Sequence, residues 1–148
     1  MTSRIVQQVQ ELYSRFNESI FPAMADVYRA DIIFQDPLQR VEGLDEVSRY
    51  FSGMMKNLQE CRFEFGQVIE SSSPQAAGVH QAVLFWNMHY RHPKLANGKL
   101  LTISGNSHIK FQDKVFYHRD YYDAGAMLYE HLPVMGWAIQ RIKKRTEA

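Results

Sequence analysis

Residues 113–123 read DKVFYHRDYYD. Strand geometry sorts them by alternation: Phe116, His118, Asp120 and Tyr122 share one face, and Tyr117, Arg119 and Tyr121 the other. β-Branched and aromatic residues at this density favour a strand, and the Gln112-Asp113 pair before Lys114 supplies the turn that starts it. Alternation alone leaves open which face looks inward. The triplet His118-Arg119-Asp120 imitates a kinase catalytic loop, but the chain has no Gly-rich loop and Gly125 stands where a metal-binding asparagine would belong.

Working outward, this last strand (114–122) closes a run of four segments with strand character, the others being roughly 60–70, 78–91 and 100–112. Their separators carry turn chemistry: SSSPQ (71–75), HPKLANGK (92–99) with its Asn97-Gly98 pair, and Gln112-Asp113. In VLFWNMHYRH (83–92) the even positions Leu84, Trp86, Met88 and Tyr90 face the interior, leaving Phe85, Asn87, His89 and Arg91 on the other side. Upstream the period is helical. Ile5, Val6, Val9, Leu12, Tyr13 and Phe16 mark a first helix, and Ile20, Met24, Val27 and Tyr28 a second that ends near Arg29, with Pro22 tolerable only in its first turn. ADIIFQDP (30–37) reads as a short strand stopped by Asp36-Pro37, and GLDEVSRYFSGMMKNL (43–58) as a third helix. AGAMLYEHL (124–132), Pro133 and VMGWAIQRIKKR (134–145) return to helix at the end. Helices followed by a meander of antiparallel strands predict an α+β domain with helices on one face of a curved sheet.

One domain accounts for all 148 residues, with a core over 3–123 and C-terminal helices over 124–145. A formal charge of +1 gives no footprint for nucleic acid, whose phosphates need a strongly basic face. The single cysteine, Cys61, cannot form an internal disulfide, and MTSRIVQQVQ is no apolar leader, so the expectation is a cytoplasmic protein.

These elements together resemble the nuclear transport factor 2-like superfamily, the cone-shaped α+β fold of SnoaL-type polyketide cyclases, ketosteroid isomerases and limonene epoxide hydrolases. The resemblance runs through FQDP at the end of the first strand, GLDEVSRYF opening the third helix, and above all DKVFYHRDYYD, which is similar to the last strand of limonene epoxide hydrolase. It implies a cone-shaped curved antiparallel sheet wrapped by N-terminal helices, here with a C-terminal helical extension. It also implies that Asp120 matches the hydrolase's general base. That enzyme's arginine and second aspartate fall at Met88 and Tyr90, and its water-positioning tyrosine and asparagine at Phe34 and Asp36. From ketosteroid isomerase, Asp36 matches the proton-shuttling aspartate, whereas the two oxyanion donors fall at Leu12 and Ser107.

Since the matched aspartates point into the cone, the resemblance implies an apolar pocket lined by Leu12, Phe16, Phe34, Met54, Met55, Leu58, Trp86, Met88, Tyr90 and Ser107, with Asp36, His118 and Asp120 as its catalytic candidates. Carboxyls among apolar side chains can divide into one neutral and one ionised, an acid and a base. His118, two residues before Asp120 on the same face, can reach it. A plainer reading makes Asp36 a turn cap before Pro37 and Asp120 the hydrogen-bond partner of a neighbouring histidine or tyrosine. The expected ligand is a small apolar metabolite handled by isomerisation, cyclisation or hydration, without cofactor or metal; the alternative is a non-catalytic ligand-binding or dimerisation module. His89 and His92 fall on opposite strand faces and complete no metal shell. The aromatic outer face (Phe85, His89, Tyr117, Arg119, Tyr121) points to a homodimer through the sheet. Val134, Met135, Trp137, Ile139 and Ile142 beside Arg141, Lys143, Lys144 and Arg145 could lie on an anionic membrane, although basic residues also suit a helix C-terminus.

Overall fold

Ser3 begins the first helix by accepting a hydrogen bond from the Val6 amide on its hydroxyl at 3.4 Å, and α1 (Arg4–Ser14) then buries Val6, Val9, Leu12 and Tyr13 along one stripe. The computed structural model describes residues 2–17, 19–71, 78–127 and 133–147, with side chains of 127, 133–136, 139 and 147 outside that description. In α2 (Ile20–Val27) Pro22 sits in the first turn, where its missing amide hydrogen has no helical partner to lose. The helix ends at Val27. Tyr28 is already extended and buried, so its helix-like spacing in the sequence belongs to the next strand.

That strand, β1 (Tyr28–Gln35), turns at Asp36-Pro37 into β2 (Arg40–Glu42), a three-residue partner too short to register as a period in the sequence. Gly43, at φ +90°, takes a backbone conformation open to glycine and starts α3 (Leu44–Asn57). Asp45 and Glu46 in its first turn and Lys56 in its last complement the helix dipole. The meander follows as β3 (Glu60–Glu70), β4 (His80–Arg91), β5 (Leu101–Phe111) and β6 (Val115–Tyr122). Of the separators, Ser72–Gln75 lie outside the described residues.

The six strands form one curved sheet in the order β2-β1-β6-β5-β4-β3. All neighbours are antiparallel except β1 and β6, which run parallel with Phe34 opposite His118 and Gln35 opposite Arg119. That pairing positions the site. Asp36, one residue past Gln35, stands level with Asp120, one past Arg119. Irregular registers at Tyr28/Ile33, Phe65/Val68 and Lys110/Phe111 mark bulges, which bend strands. The three N-terminal helices bury Val9, Ile20, Met24, Val47 and Phe51 against Ile32, Phe34, Leu84, Ile109 and Val115 of the sheet. The even positions of β4 point into this interior, as alternation predicts, and in β6 the inward pair is His118 and Asp120.

On the opposite sheet face Phe85 and Tyr121 stand exposed, while the Arg119 guanidinium lies 4.7 Å over the Tyr121 ring and the Lys110 ammonium 4.9 Å over Tyr117. The C-terminal part contains α4 (Ala124–Met127) and α5 (Pro133–Glu147); residues 128–132, read as helix in the sequence, lie outside the described ones, as do the side chains of Val134, Met135 and Ile139. In α5, Trp137 and Ile142 are exposed and Arg141 covers the Trp137 ring at 5.2 Å. Among the described residues no helix is long and apolar enough to cross a membrane.

Candidate functional site

Register builds the centre of the site. Ser107 of β5 lies directly opposite Asp120 of β6, and its hydroxyl donates to Asp120 Oδ1 at 2.5 Å. Trp86, on β4, crosses over Gly105 and donates its indole Nε1–H to Ser107 Oγ at 2.9 Å. His118 Nε2 meets the same Asp120 Oδ1 at 2.7 Å, and its Nδ1 meets Tyr28 Oη at 2.8 Å. Tyr28 Oη lies 2.7 Å from Tyr13 Oη. A buried chain therefore runs Tyr13, Tyr28, His118, Asp120, Ser107, Trp86. With Asp120 ionised, one proton arrangement satisfies it: His118 carries its hydrogen on Nε2 and donates to the carboxylate, Tyr28 donates to Nδ1, and Tyr13 donates to Tyr28. Burial is the main reason that the Tyr13 and Tyr28 hydroxyls hold their protons far above the ordinary phenol range.

The second centre is Asp36. Its Oδ1 accepts from the Leu38 and Gln39 amides at 2.8 and 2.9 Å, which is the turn cap before β2, and its Oδ2 accepts from Tyr50 Oη at 2.6 Å. Tyr50 and Tyr122 both have raised pKa values, first through burial and then through the carboxylate of Asp36. Asp36 thus has a structural role and a pair of phenols beside it.

Between the two carboxylates lies a narrow cavity of about 40 Å³, lined by Tyr13, Phe16, Phe34, Asp36, Phe51, Met54, Leu58, Cys61, Phe63, Trp86, Met88, Asp120 and Tyr122. That volume holds a few waters and no mid-sized molecule. Phe16, Phe51 and Phe63 occupy the centre of the cone, with ring centroids 5.4 to 5.5 Å from Phe16. Burial also pushes the Cys61 thiol up to about 12.

Of the sequence-predicted residues, Phe16, Phe34, Met54, Leu58, Trp86, Met88, Asp36 and Asp120 meet at this cavity. Ser107 and His118 stand behind it, bonded to Asp120. Leu12 and Tyr90 are buried elsewhere in the core, and Met55 faces an outer cleft. Sequence reasoning missed Tyr13, Phe51, Cys61, Phe63 and Tyr122 at the wall and Tyr28 and Tyr50 behind it. The signal for Tyr13 was present: Leu12 and Tyr13 share the buried stripe of α1, and only side-chain direction separates them. Cys61, Phe63 and Phe65 alternate in β3, which gives that strand an inward face as clear as that of β4. Among the described residues no cluster of His, Cys, Asp and Glu could hold a metal ion.

The hydrogen-bond chain makes a testable difference between its two phenols. Tyr28→Phe strands the buried His118 Nδ1 without a donor and is expected to cost about 1–3 kcal/mol. Tyr13→Phe leaves that bond intact and costs less. Urea unfolding of both variants checks the order; equal costs would contradict it.

By sequence, the model of the SnoaL-like domain family matches residues 9–118. No curated protein matches. Solved structures similar in fold include an NTF2-like protein of unknown function from Burkholderia pseudomallei, 19% identical with a TM-score of 0.71, the match covering 86% of this chain and 96% of that one. A protein with a ketosteroid isomerase-like fold from Catenulispora acidiphila, in complex with trimethylamine, is 11% identical with a TM-score of 0.71 over 90% and 96%. A candidate SnoaL-like polyketide cyclase from Jannaschia sp. CCS1 is 12% identical with a TM-score of 0.70 over 86% and 94%. At these identities the likeness is one of fold.

Proposed function

The chain belongs to the SnoaL-like domain family, and from that premise we propose that it performs acid-base chemistry on a small, largely apolar molecule, of the isomerisation or cyclisation type. Asp120 is the base. One observation carries this reading: Asp120 Oδ1 is held by Ser107 and His118, while the carboxyl borders an apolar cavity and its Oδ2 has no hydrogen bond among the described residues. A carboxylate so fixed is oriented to take a proton from a bound carbon acid or hydroxyl. His118, fully buried and absent from the cavity wall, acts through Asp120 as a positioning residue. Asp36 and Tyr122 form the opposite wall, and Tyr50 behind them gives its one hydroxyl hydrogen to the Asp36 carboxylate. A fold neighbour described as a candidate polyketide cyclase is consistent with carbon acids as substrates.

The experiment is solvent deuterium exchange into small carbon acids, for example acetylacetone, cyclohexane-1,3-dione and phenylacetone, followed by proton NMR. Exchange above the buffer rate supports the reading. Binding without exchange by any of them would overturn it in favour of a ligand-binding module.

We propose further that a second copy of the chain covers the outer sheet face, where Phe85 and Tyr121 stand exposed. Sedimentation is expected to give a dimer that Tyr121→Glu dissociates; a monomeric wild type would refute this.

A further inference from the structure

A cavity of about 40 Å³ is too narrow for a ring-bearing ligand and must widen on one side to admit it. Surface hollows adjoin it on different sides. One, of about 480 Å³ beside α3 and β2, shares Met54 with the cavity; another, of about 490 Å³ over β4, β5 and β6 by Phe85 and Tyr121, shares Tyr122. The third, of about 410 Å³, lies between the segment after α1 and the end of α3, and it shares Phe16, Leu58 and Cys61.

The walls differ in what opening them breaks. Beside Met54 stands Tyr50, whose hydroxyl is bonded to the Asp36 carboxylate at 2.6 Å, and Tyr122 interacts with Asp36 as well. Parting either wall disturbs charge-assisted hydrogen bonds. The wall of Phe16, Leu58 and Cys61 is held by apolar and ring contacts. Phe16 follows the last turn of α1 and Leu58 is the cap residue of α3, so both ride on segments outside the helical ladders. Moving these side chains loosens ring and apolar packing and breaks no charge-assisted hydrogen bond.

The cleft also carries a chemical preference. Its ionised groups among the described residues are Lys56 and Glu60, and Glu60 is engaged by Arg91 at 2.9 Å. No ion pair is formed by Lys56 among the described residues, so its ammonium gives the cleft an uncompensated positive charge. Asn17, Ser52 and Gln59 add hydrogen-bonding groups, and Phe21 and Met55 add apolar surface.

We propose that the ligand enters through this cleft by displacing Phe16 and Leu58, and that it is an elongated molecule with an apolar ring end for the Asp120 cavity and an anionic end, carboxylate or phenolate, received by Lys56. This rests on the reading of the Asp120 cavity as the ligand site and adds its route and its charge. It also explains the mixed character of the two chambers: water-facing and cationic outside, aromatic and narrow inside.

Cys61 borders both chambers and is the only cysteine, so its reactivity reports on the wall. Cys61 is part-buried in the cleft wall and burial keeps its thiolate scarce, so its labelling is slow and depends on how far Phe16 and Leu58 cover the thiol. Phe16→Ala is expected to raise the rate of Cys61 labelling by neutral 4,4′-dithiodipyridine about tenfold, and Leu58→Ala serves as the second variant should the first not fold. In the wild type, 2-naphthoate is expected to protect Cys61 better than the uncharged 2-naphthamide. Lys56→Gln should shrink that preference by about threefold to fivefold, the effect of one exposed charge pair. Labelling insensitive to both wall variants, a naphthoate preference absent in the wild type, or one left unchanged in Lys56→Gln, would overturn the proposal. No proton transfer enters this readout, so it stands or falls separately from Asp120 as a base.

Discussion

Asp120→Asn is expected to lower deuterium exchange into a carbon acid by about 10²- to 10³-fold, the usual effect of one positioned general base. The substitution is informative because it preserves shape. Asparagine Oδ1 can still accept from Ser107 and from His118 Nε2–H, the two bonds that hold the side chain at 2.5 and 2.7 Å, so the wall keeps its form and the carboxylate alone is lost. Stability should therefore move little, and the double readout separates a chemical loss from a folding defect. Asp120→Ala would confound the two, since it leaves the buried His118 and Ser107 without their acceptor. An Asp120→Asn protein that exchanges at the wild-type rate would remove Asp120 from the mechanism, leaving the Asp36 side of the cavity to account for any exchange.

The two matched carboxylates prove unequal in their surroundings. Asp36 is committed at both oxygens, one to the turn amides and one to Tyr50. Asp120 is committed, among the described residues, at one oxygen only. The plainer sequence reading of each, turn cap and histidine partner, is thus what the geometry contains, and in Asp120 that structural bond leaves a second oxygen to spare. The supporting groups differ from those that the resemblance supplied. In place of an arginine and a second acid at Met88 and Tyr90, the cavity wall has phenols at Tyr13 and Tyr122, with Tyr50 behind it bonded to Asp36.

The fold was legible because its signals are periodic. The four-strand meander and three N-terminal helices follow from spacing and turn residues, with the strands ending within about two residues of expectation. What escaped was of two kinds. β2 is three residues long and has no period, and the parallel junction of β1 with β6 depends on where a strand far away in sequence is placed, which local pattern cannot encode. At the site, residue types were legible and side-chain directions were not. Leu12 and Tyr13 occupy one buried stripe, yet the tyrosine reaches the cavity. Phe16, Phe51 and Phe63 fill the cone from three separate segments, and only their convergence in space narrows the cavity.

Gly105→Ala is expected to be among the most destabilising single substitutions in the chain, by about 3 kcal/mol, the upper part of the range for overpacking. A Cβ at this position would lie 2.5 Å from the Trp86 indole and 2.6 Å from the Tyr121 carbonyl oxygen. The indole could shift; the carbonyl, fixed in the β5–β6 ladder, could not without breaking it. Against this, Gly105 is not among the residues at positive φ, so alanine incurs no backbone strain there and gains about 0.4–1 kcal/mol by narrowing the unfolded ensemble. The clash outweighs that gain. Moving Trp86 also withdraws its Nε1–H from Ser107, whose hydroxyl orients Asp120, so the substitution should reduce exchange as well as stability. Expected is a fall in melting temperature of about 10 °C, at roughly 2–4 °C per kcal/mol for a chain of this size. A melting temperature at or above that of the wild type would show that the sheet relaxes around the methyl group, and would detach Trp86 from the architecture of the Asp120 site.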